Sequence, residues 1–253
     1  MLFFMNFPKC NEYDYIDFLM ASPKVFSCTE AGKVQPAGEN VACHDSINRL
    51  LYRLPSDSEV LWHEAARFTD MRGGVLISDD STSDKPYANK IQIVSYHWSG
   101  RHHSVVKGIN LVTLLRTDGD THIPCDHRIY YKEDDGKTEN DHFTDMLHKA
   151  KERGAYPEYV LSDSRYASLE NLKLIRELGW QWFTRLKADR LVNPDGRGNV
   201  SLSEVGISEF GSIVHLKGYG FIKVFGIVAK DGGTEYWATS DTDTDATQTS
   251  SVI

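Results

Sequence analysis

The stretch "VLISDD", residues 75–80, decides how the chain reads, because Val75, Leu76 and Ile77 run directly into the paired acids Asp79 and Asp80. The apolar residues want burial and the acids do not, so the segment predicts a strand that delivers charge to a sheet edge. Strand ends also collect Asp, Ser and Thr for turns, and "DSTSDKPYANK" (80–90) has that composition. On this stretch alone, a structural turn and a functional site both remain open.

Outward from it, the downstream chain reads as strands separated by turns. "IQIVSYHW" (91–98), "SVVKGINLVTLLRT" (104–117) and "THIPCDHRIYY" (121–131) are divided by "SGRHH" and "DGD". "NDHFTDMLHKAKERG" (140–154) then sets Phe143, Met146, Leu147 and Ala150 at helical spacing, with an Asn/Asp start and a Gly stop. "PEYVLSDSRY" (157–166) predicts a short strand that again ends in an acid, Asp163. "SLENLKLIRELGW" (168–180) is a helix capped by Ser168, with Glu170 in its first turn, Leu172 and Ile175 inward and Gly179 closing it. "QWFTRLKADR" (181–190) is the next strand. The first helix is thus preceded by one isolated strand and a meander of two or three, depending on whether 91–98 pairs or extends into the turn; taken as three strands, helix, strand, helix, strand, the chain is α/β with a mixed sheet in which the strand after the first helix runs parallel to the first strand. Ligand sites in such sheets form at carboxyl ends of strands flanking a switch in order. Asp80 and Asp163 occupy such ends, and acids so placed repel unless a cation lies between them.

Upstream, residues 1–72 predict a small helical region. In "HDSINRLLYRL" (44–54), Ile47, Leu50, Leu51 and Leu54 fall on one helix face. With "SCTEAGKVQPAGENVA" (27–42) before it, the region admits a helix-turn-helix and hence a contact to DNA. "MRGG" (71–74) marks a boundary to a core over 73–190. Residues 191–240, rich in Val, Ile, Phe and Tyr with Gly-containing turns, read as a β-rich insertion. Residues 241–253 form an acidic tail without a core-forming pattern, expected to be disordered.

Composition excludes several classes. Across 253 residues, 40% hydrophobic and 25% charged are ordinary values for a globular protein. No apolar run approaches the roughly 20 residues of a membrane span. "MLFFMNF" lacks the basic start and cleavage site of a signal peptide, so the expectation is a cytoplasmic protein with no membrane partner. Cys10, Cys28, Cys43 and Cys125 show no metal or disulfide spacing, and strand alternation separates His122 from Cys125 and His127. The net charge of −8 argues against a generic nucleic-acid binder. Its distribution argues differently: residues 165–190 carry six bases against three acids, whereas residues 231–253 hold five acids and no Lys or Arg.

These elements and acids together resemble the DDE transposases of bacterial insertion sequences, which have a ribonuclease H-like catalytic core. The resemblance rests on "DDSTSDKPYA" (79–88), "SYHWSGRHHSVVKGINLVTLL" (95–115), "NDHF" (140–143), "YVLSDSRYASLENLKLIRELGW" (159–180) and "TRLKADRLV" (184–192), in that order. It implies a ribonuclease H-like mixed sheet, βββαβαβ, with the helical region before it and the β-rich insertion after it. It puts the first catalytic acid on Asp80, directly before Ser81-Thr82, with Asp79 the second choice, and the second on Asp163. These would hold Mg²⁺, with Mn²⁺ able to substitute. It implies DNA as partner, both element ends and target, and a homodimer acting on paired ends. Arg165, Arg185, Lys187 and Arg190 stand near the acids to grip phosphates.

The family's third acid is a Glu in a late helix. It has no counterpart here, since Glu170, Glu177, Glu204, Glu209 and Glu235 belong to segments already explained. The chain stops where the family runs on, and a frameshift, an early stop or a cut boundary would each account for that. The expectation is a truncated transposase with little or no strand transfer, and the second reading is a non-catalytic DNA-binding remnant. An aspartyl-phosphate hydrolase is set aside because Thr82 stands where that chemistry wants a second Asp.

Overall fold

The computed structural model describes residues 8–23, 26–36, 38, 41–55, 57–229 and 232–245. The opening "MLFFMNF" and the last residues of the acidic terminus lie outside them. The chain forms two compact units, Met1–Asp57 and Ser58–Ile253.

The first unit contains α1 (Glu12–Ala21), α2 (Cys28–Lys33) and α3 (His44–Arg53). Asn11 and Asp14 form a capping box on α1, and Ser27 caps α2. Cys10, Phe18, Ala31, Ile47 and Leu50 close its apolar cluster. Only half of the stripe expected on α3 is buried: Leu51 lies at its margin and Leu54 beyond its last turn, and both stay exposed.

The second unit holds α4 (Ser58–Ala65), α5 (Lys132–Asp135), α6 (Glu139–Glu152) and α7 (Leu169–Glu177) around one sheet. Its strands are β1 (Val75–Asp84), β2 (Ser95–Ser99), β3 (Ser104–Thr117), β4 (His122–Tyr130), β5 (Tyr159–Ser162) and β6 (Gln181–Leu186), then β7 (Leu191–Asn193), β8 (Val200–Ser201), β9 (Ser212–Leu216), β10 (Gly220–Val228) and β11 (Thr234–Thr239). The sheet order is β2-β3-β1-β5-β6-β11-β10-β9-β7-β8, and β4 pairs with β3. β1 is antiparallel to β3 and parallel to β5, and β5 is parallel to β6. Four strands precede α6, but β2 pairs with Ser104–Gly108 and β4 with Asn110–Thr117 of β3, so the two share one position in the sheet; with α6 between β4 and β5 and α7 between β5 and β6, this is the ribonuclease H-like βββαβαβ arrangement with one of its first three positions split.

The helices form where local signals place them. Thr138 and Asp141 make a capping box on α6, whose Phe143, Met146, Leu147 and Ala150 are buried. Ser168 caps α7, which buries Leu172 and Ile175, and Gly179 at φ 82° lets the chain turn into β6. Leu76, Val160 and Trp182 meet these side chains from the sheet. Burial of each such side chain contributes about 1.5–3 kcal/mol.

Four expectations change. β1 does not end at the acids but runs on to Asp84, because the 14-residue β3 supplies partners throughout, Asp80 opposite Val112 and Asp84 opposite Gly108. The unit boundary falls at Asp57 rather than near residue 72, since α4 belongs with β4. Glu59 on α4 meets Arg153 at 2.8 Å, and that guanidinium lies 5.0 Å from the centre of the Trp62 ring. Residues 191–240 extend the main sheet, β11 pairing antiparallel with β6. Residues 241–245 of the tail are held: Asp241 accepts from the Tyr159 hydroxyl at 2.6 Å, and the Thr244 carbonyl from Lys223 at 2.6 Å.

Among the described residues no helix is long and apolar enough to cross a membrane. The four cysteines are free thiols, and burial pushes Cys125 up to about 11.

Candidate active site

Parallel pairing of β1 with β5 ends at Ser78 opposite Ser162. The next residues are Asp79 and Asp163, so the register delivers acids from both strands to one level of the sheet. Alternation puts Leu76, Ser78, Asp80 and Thr82 on one face and Asp79 on the other. Leu76 and Ser78 are buried, and the Asp80 carboxyl beside them is 10% exposed. Asp163 is exposed and shapes the following turn by accepting the Arg165 backbone N–H at 2.8 Å. Thr184 on β6 ties that turn down by donating to the Ser162 carbonyl at 2.8 Å.

A third acid joins them. Glu139 opens α6, and a single nitrogen of Arg165, Nη1, donates to Asp80 Oδ2 at 2.9 Å and to Glu139 Oε2 at 3.1 Å. The other Glu139 oxygen accepts from the Asn110 amide at 2.7 Å. Asn110 sits on β3, 1% exposed, and its own oxygen accepts from the Thr82 hydroxyl at 3.3 Å. Burial pushes the Asp80 pKa up; Arg165 opposes that shift, while Glu139, Asp79 and Asp163 reinforce it. Burial disfavours charge on Arg165, but Asp80, Glu139 and Asp163 outweigh it and hold the guanidinium more firmly protonated. Below the cluster Tyr166 stacks on Phe143 with centroids 4.9 Å apart. Its hydroxyl is raised first by burial, then by Asp80 and Glu139.

The expected residues are thus sorted. Asp80 and Asp163 meet at one sheet edge, and Asp79 faces away from Arg165 and Glu139. Arg165, Lys187 and Arg190 line a cleft of about 520 Å³ together with Lys217, which sequence reasoning missed. Arg185 is not in that cleft; it pairs with Glu235 on β11 at 2.7 Å. Glu139 was also missed, because a third acid was sought only after Asp163. The available signal was spacing: 139, 143, 146 and 150 form one stripe of α6, which puts an acid on its buried face.

Carboxylate oxygens are the donors that hard divalent ions take, and the Arg165 guanidinium shows that Asp80 and Glu139 together hold a cation. The donor set therefore fits in kind. Among the described residues, though, no three His, Cys, Asp or Glu side chains are drawn close enough to hold a metal ion as they stand.

A mixed sheet of this order, with acids where the parallel pairing of β1 and β5 ends, defines the ribonuclease H-like class. The chain belongs to the DDE superfamily endonucleases, whose family model matches residues 42–201. Such endonucleases depend on divalent metal ions. The piggyBac transposase, solved as a synaptic complex with hairpin DNA, is similar over 80% of this chain and 44% of its own, at 13% identity and a TM-score of 0.46. The Drosophila P element transposase, solved as a strand transfer complex, is similar over 75% of this chain and 51% of its own, at 14% identity and a TM-score of 0.23. The chain spans about half the length of each or less. No curated protein matches it.

Proposed function

We propose that this chain is the core of an insertion-sequence transposase that cuts and rejoins phosphodiester bonds at the ends of its element, with Asp80 and Asp163 as its catalytic carboxylates. The observation that carries this is the β1–β5 register, which brings the two acids to one sheet edge from positions far apart in sequence. Mg²⁺, with Mn²⁺ as substitute, would supply activation of a water or 3′-hydroxyl and stabilisation of the leaving oxygen.

The protein's own residues have separate tasks. Asp80 and Asp163 offer hard oxygen donors from a rigid sheet. Lys187, Arg190 and Lys217 in the adjoining cleft neutralise DNA phosphates and make binding salt-dependent. The helices of the N-terminal unit add a further DNA contact, and paired ends call for two copies of the chain.

Nicking of supercoiled plasmid with Mn²⁺ tests the reading. Asp80→Asn should abolish nicking and keep DNA binding; undiminished nicking by Asp80→Asn sinks the proposal. One observation favours a second reading, a non-catalytic DNA-binding remnant: Arg165 ties up Asp80, and among the described residues no three acids lie close enough to hold a metal ion as they stand. Salt-dependent DNA binding by the native chain with no nicking in either metal would select that alternative.

A further inference from the structure

In β2, "SYHWS" (95–99), alternation offers two faces, and burial ordinarily chooses the aromatic one for the core. This strand is the other way round. His97 and Ser99 are buried, while Tyr96 is 73% and Trp98 54% exposed. A slip of one residue would exchange the faces, so the register must be held from the inner side. There His97 meets the Tyr130 ring edge-on at 5.7 Å and is hydrogen-bonded to Ser95 at 2.8 Å.

The outward side chains form a continuous patch. Trp98 lies opposite Val105, itself 60% exposed, and Tyr96 lies opposite Lys107; residues directly opposite share a face. Lys85 extends that row, since its backbone N–H donates to the Lys107 carbonyl at 2.8 Å. Residues 85–107 carry four Lys or Arg and no acid. Among the described residues none of those four is in an ion pair. The acid just before them, Asp84, is occupied by His102 at 2.8 Å. Apolar surface that is contiguous rather than scattered marks an interaction site, and its basic surround selects an anionic partner.

We propose that this face of the β2–β3 hairpin is a platform for unpaired DNA bases, which stack on Tyr96 and Trp98 while Lys85, Lys107 and Arg101 hold the neighbouring phosphates. The proposal rests on the reading of the chain as an enzyme that cuts DNA. Cations alone would suit the backbone of a duplex, whose bases cover one another's ring faces. Aromatic rings set among cations suit a single strand, whose ring faces are free. A second copy of the chain fits poorly, because a two-fold contact sets the patch against itself and brings like charges together. The position agrees. β1, with Asp80, stands between this hairpin and the β5–β6 pair in the sheet. The platform begins where β1 ends, four residues and about 13 Å beyond Asp80. Alternation puts it on the face that carries Asp79, so the bases it takes flank the reacting phosphodiester.

The test compares the affinity of the full chain for an oligothymidine of about 12 bases and for a duplex of the same length. Tyr96→Ala with Trp98→Ala should weaken oligothymidine binding by roughly tenfold or more, and duplex binding by clearly less. Equal losses on the two probes, or no loss on either, overturn the platform and leave the reading of Asp80 standing, since plasmid nicking tests that separately. Binding of neither probe by the native chain removes both. If the double variant converts a dimer to a monomer in sedimentation without separating the two probes, the face joins two copies and the proposal falls. Should the double variant not fold, Trp98→Phe carries the test alone, because it keeps a ring for stacking and removes the indole. Oligothymidine should quench the tryptophan emission of the native chain, and Trp98→Phe should abolish that quenching while still binding. Quenching that persists in Trp98→Phe, or is absent from the native chain, overturns the proposal.

Discussion

Asp80 owes its surroundings to strand alternation. One residue earlier, the same carboxylate would point to the opposite face, away from Arg165 and Glu139. Asn110 is the side chain on which the arrangement turns, because its amide binds Glu139 while its oxygen binds Thr82. Replacing it with Leu leaves a half-buried carboxylate short of a donor, and the expected loss is about 1–3 kcal/mol. Urea unfolding checks this through the midpoint at constant slope. A shift below about 0.5 kcal/mol would mean that water or Arg165 replaces the amide.

At the scale of elements, the site depends on β1 staying paired with β3 beyond the point where β5 leaves it. Gly108 lies opposite Asp84, where the backbones approach so closely that an added Cβ would meet the Ser83 carbonyl at 2.6 Å. Gly108→Ala should therefore force the strands apart, costing about 1–3 kcal/mol, with early loss of amide-exchange protection over residues 80–84. Unaltered protection there would show that the pairing tolerates the methyl group. The helix α7 was legible in sequence down to its cap, Ser168, because near neighbours supply that signal, whereas α6 was legible in its buried stripe but is capped by Thr138, just ahead of the Asn/Asp start expected for it. The full length of β1 was not legible, because Ser81–Asp84 look like a turn until β3 lies alongside them.

The whole molecule divides at Asp57, and that division makes a prediction. A fragment starting at Ser58 should melt cooperatively near the temperature of the second unit in the intact chain. A fragment starting at residue 73 lacks Trp62 and the Glu59–Arg153 pair, and should lose at least about 3 kcal/mol. Equal stability of the two fragments would place the boundary where sequence alone had put it. The basic cleft belongs to this scale too, since Arg165, Lys187 and Lys217 come from separate segments. Lys187→Ala with Arg190→Ala should flatten the dependence of DNA affinity on log salt by about 2, at roughly 0.9 per phosphate contact. An unchanged slope would put DNA on another surface.

The sequence by itself determined the order of the main strands and helices from β1 to β6, the Ser168 cap, the placing of Asp80 and Asp163 directly after apolar strand runs, and the resemblance that named the family. Each follows from periodicity and spacing within a short window, where a residue's neighbours are known. Only the tertiary structure decided that Glu139 joins those acids, that Arg165 bridges two of them, that Arg185 is occupied by Glu235, and that α4 and residues 241–245 pack with the second unit. Those facts concern residues tens of positions apart in the chain. They come within hydrogen-bonding distance only when the sheet assembles, through register and side-chain packing that no local pattern records.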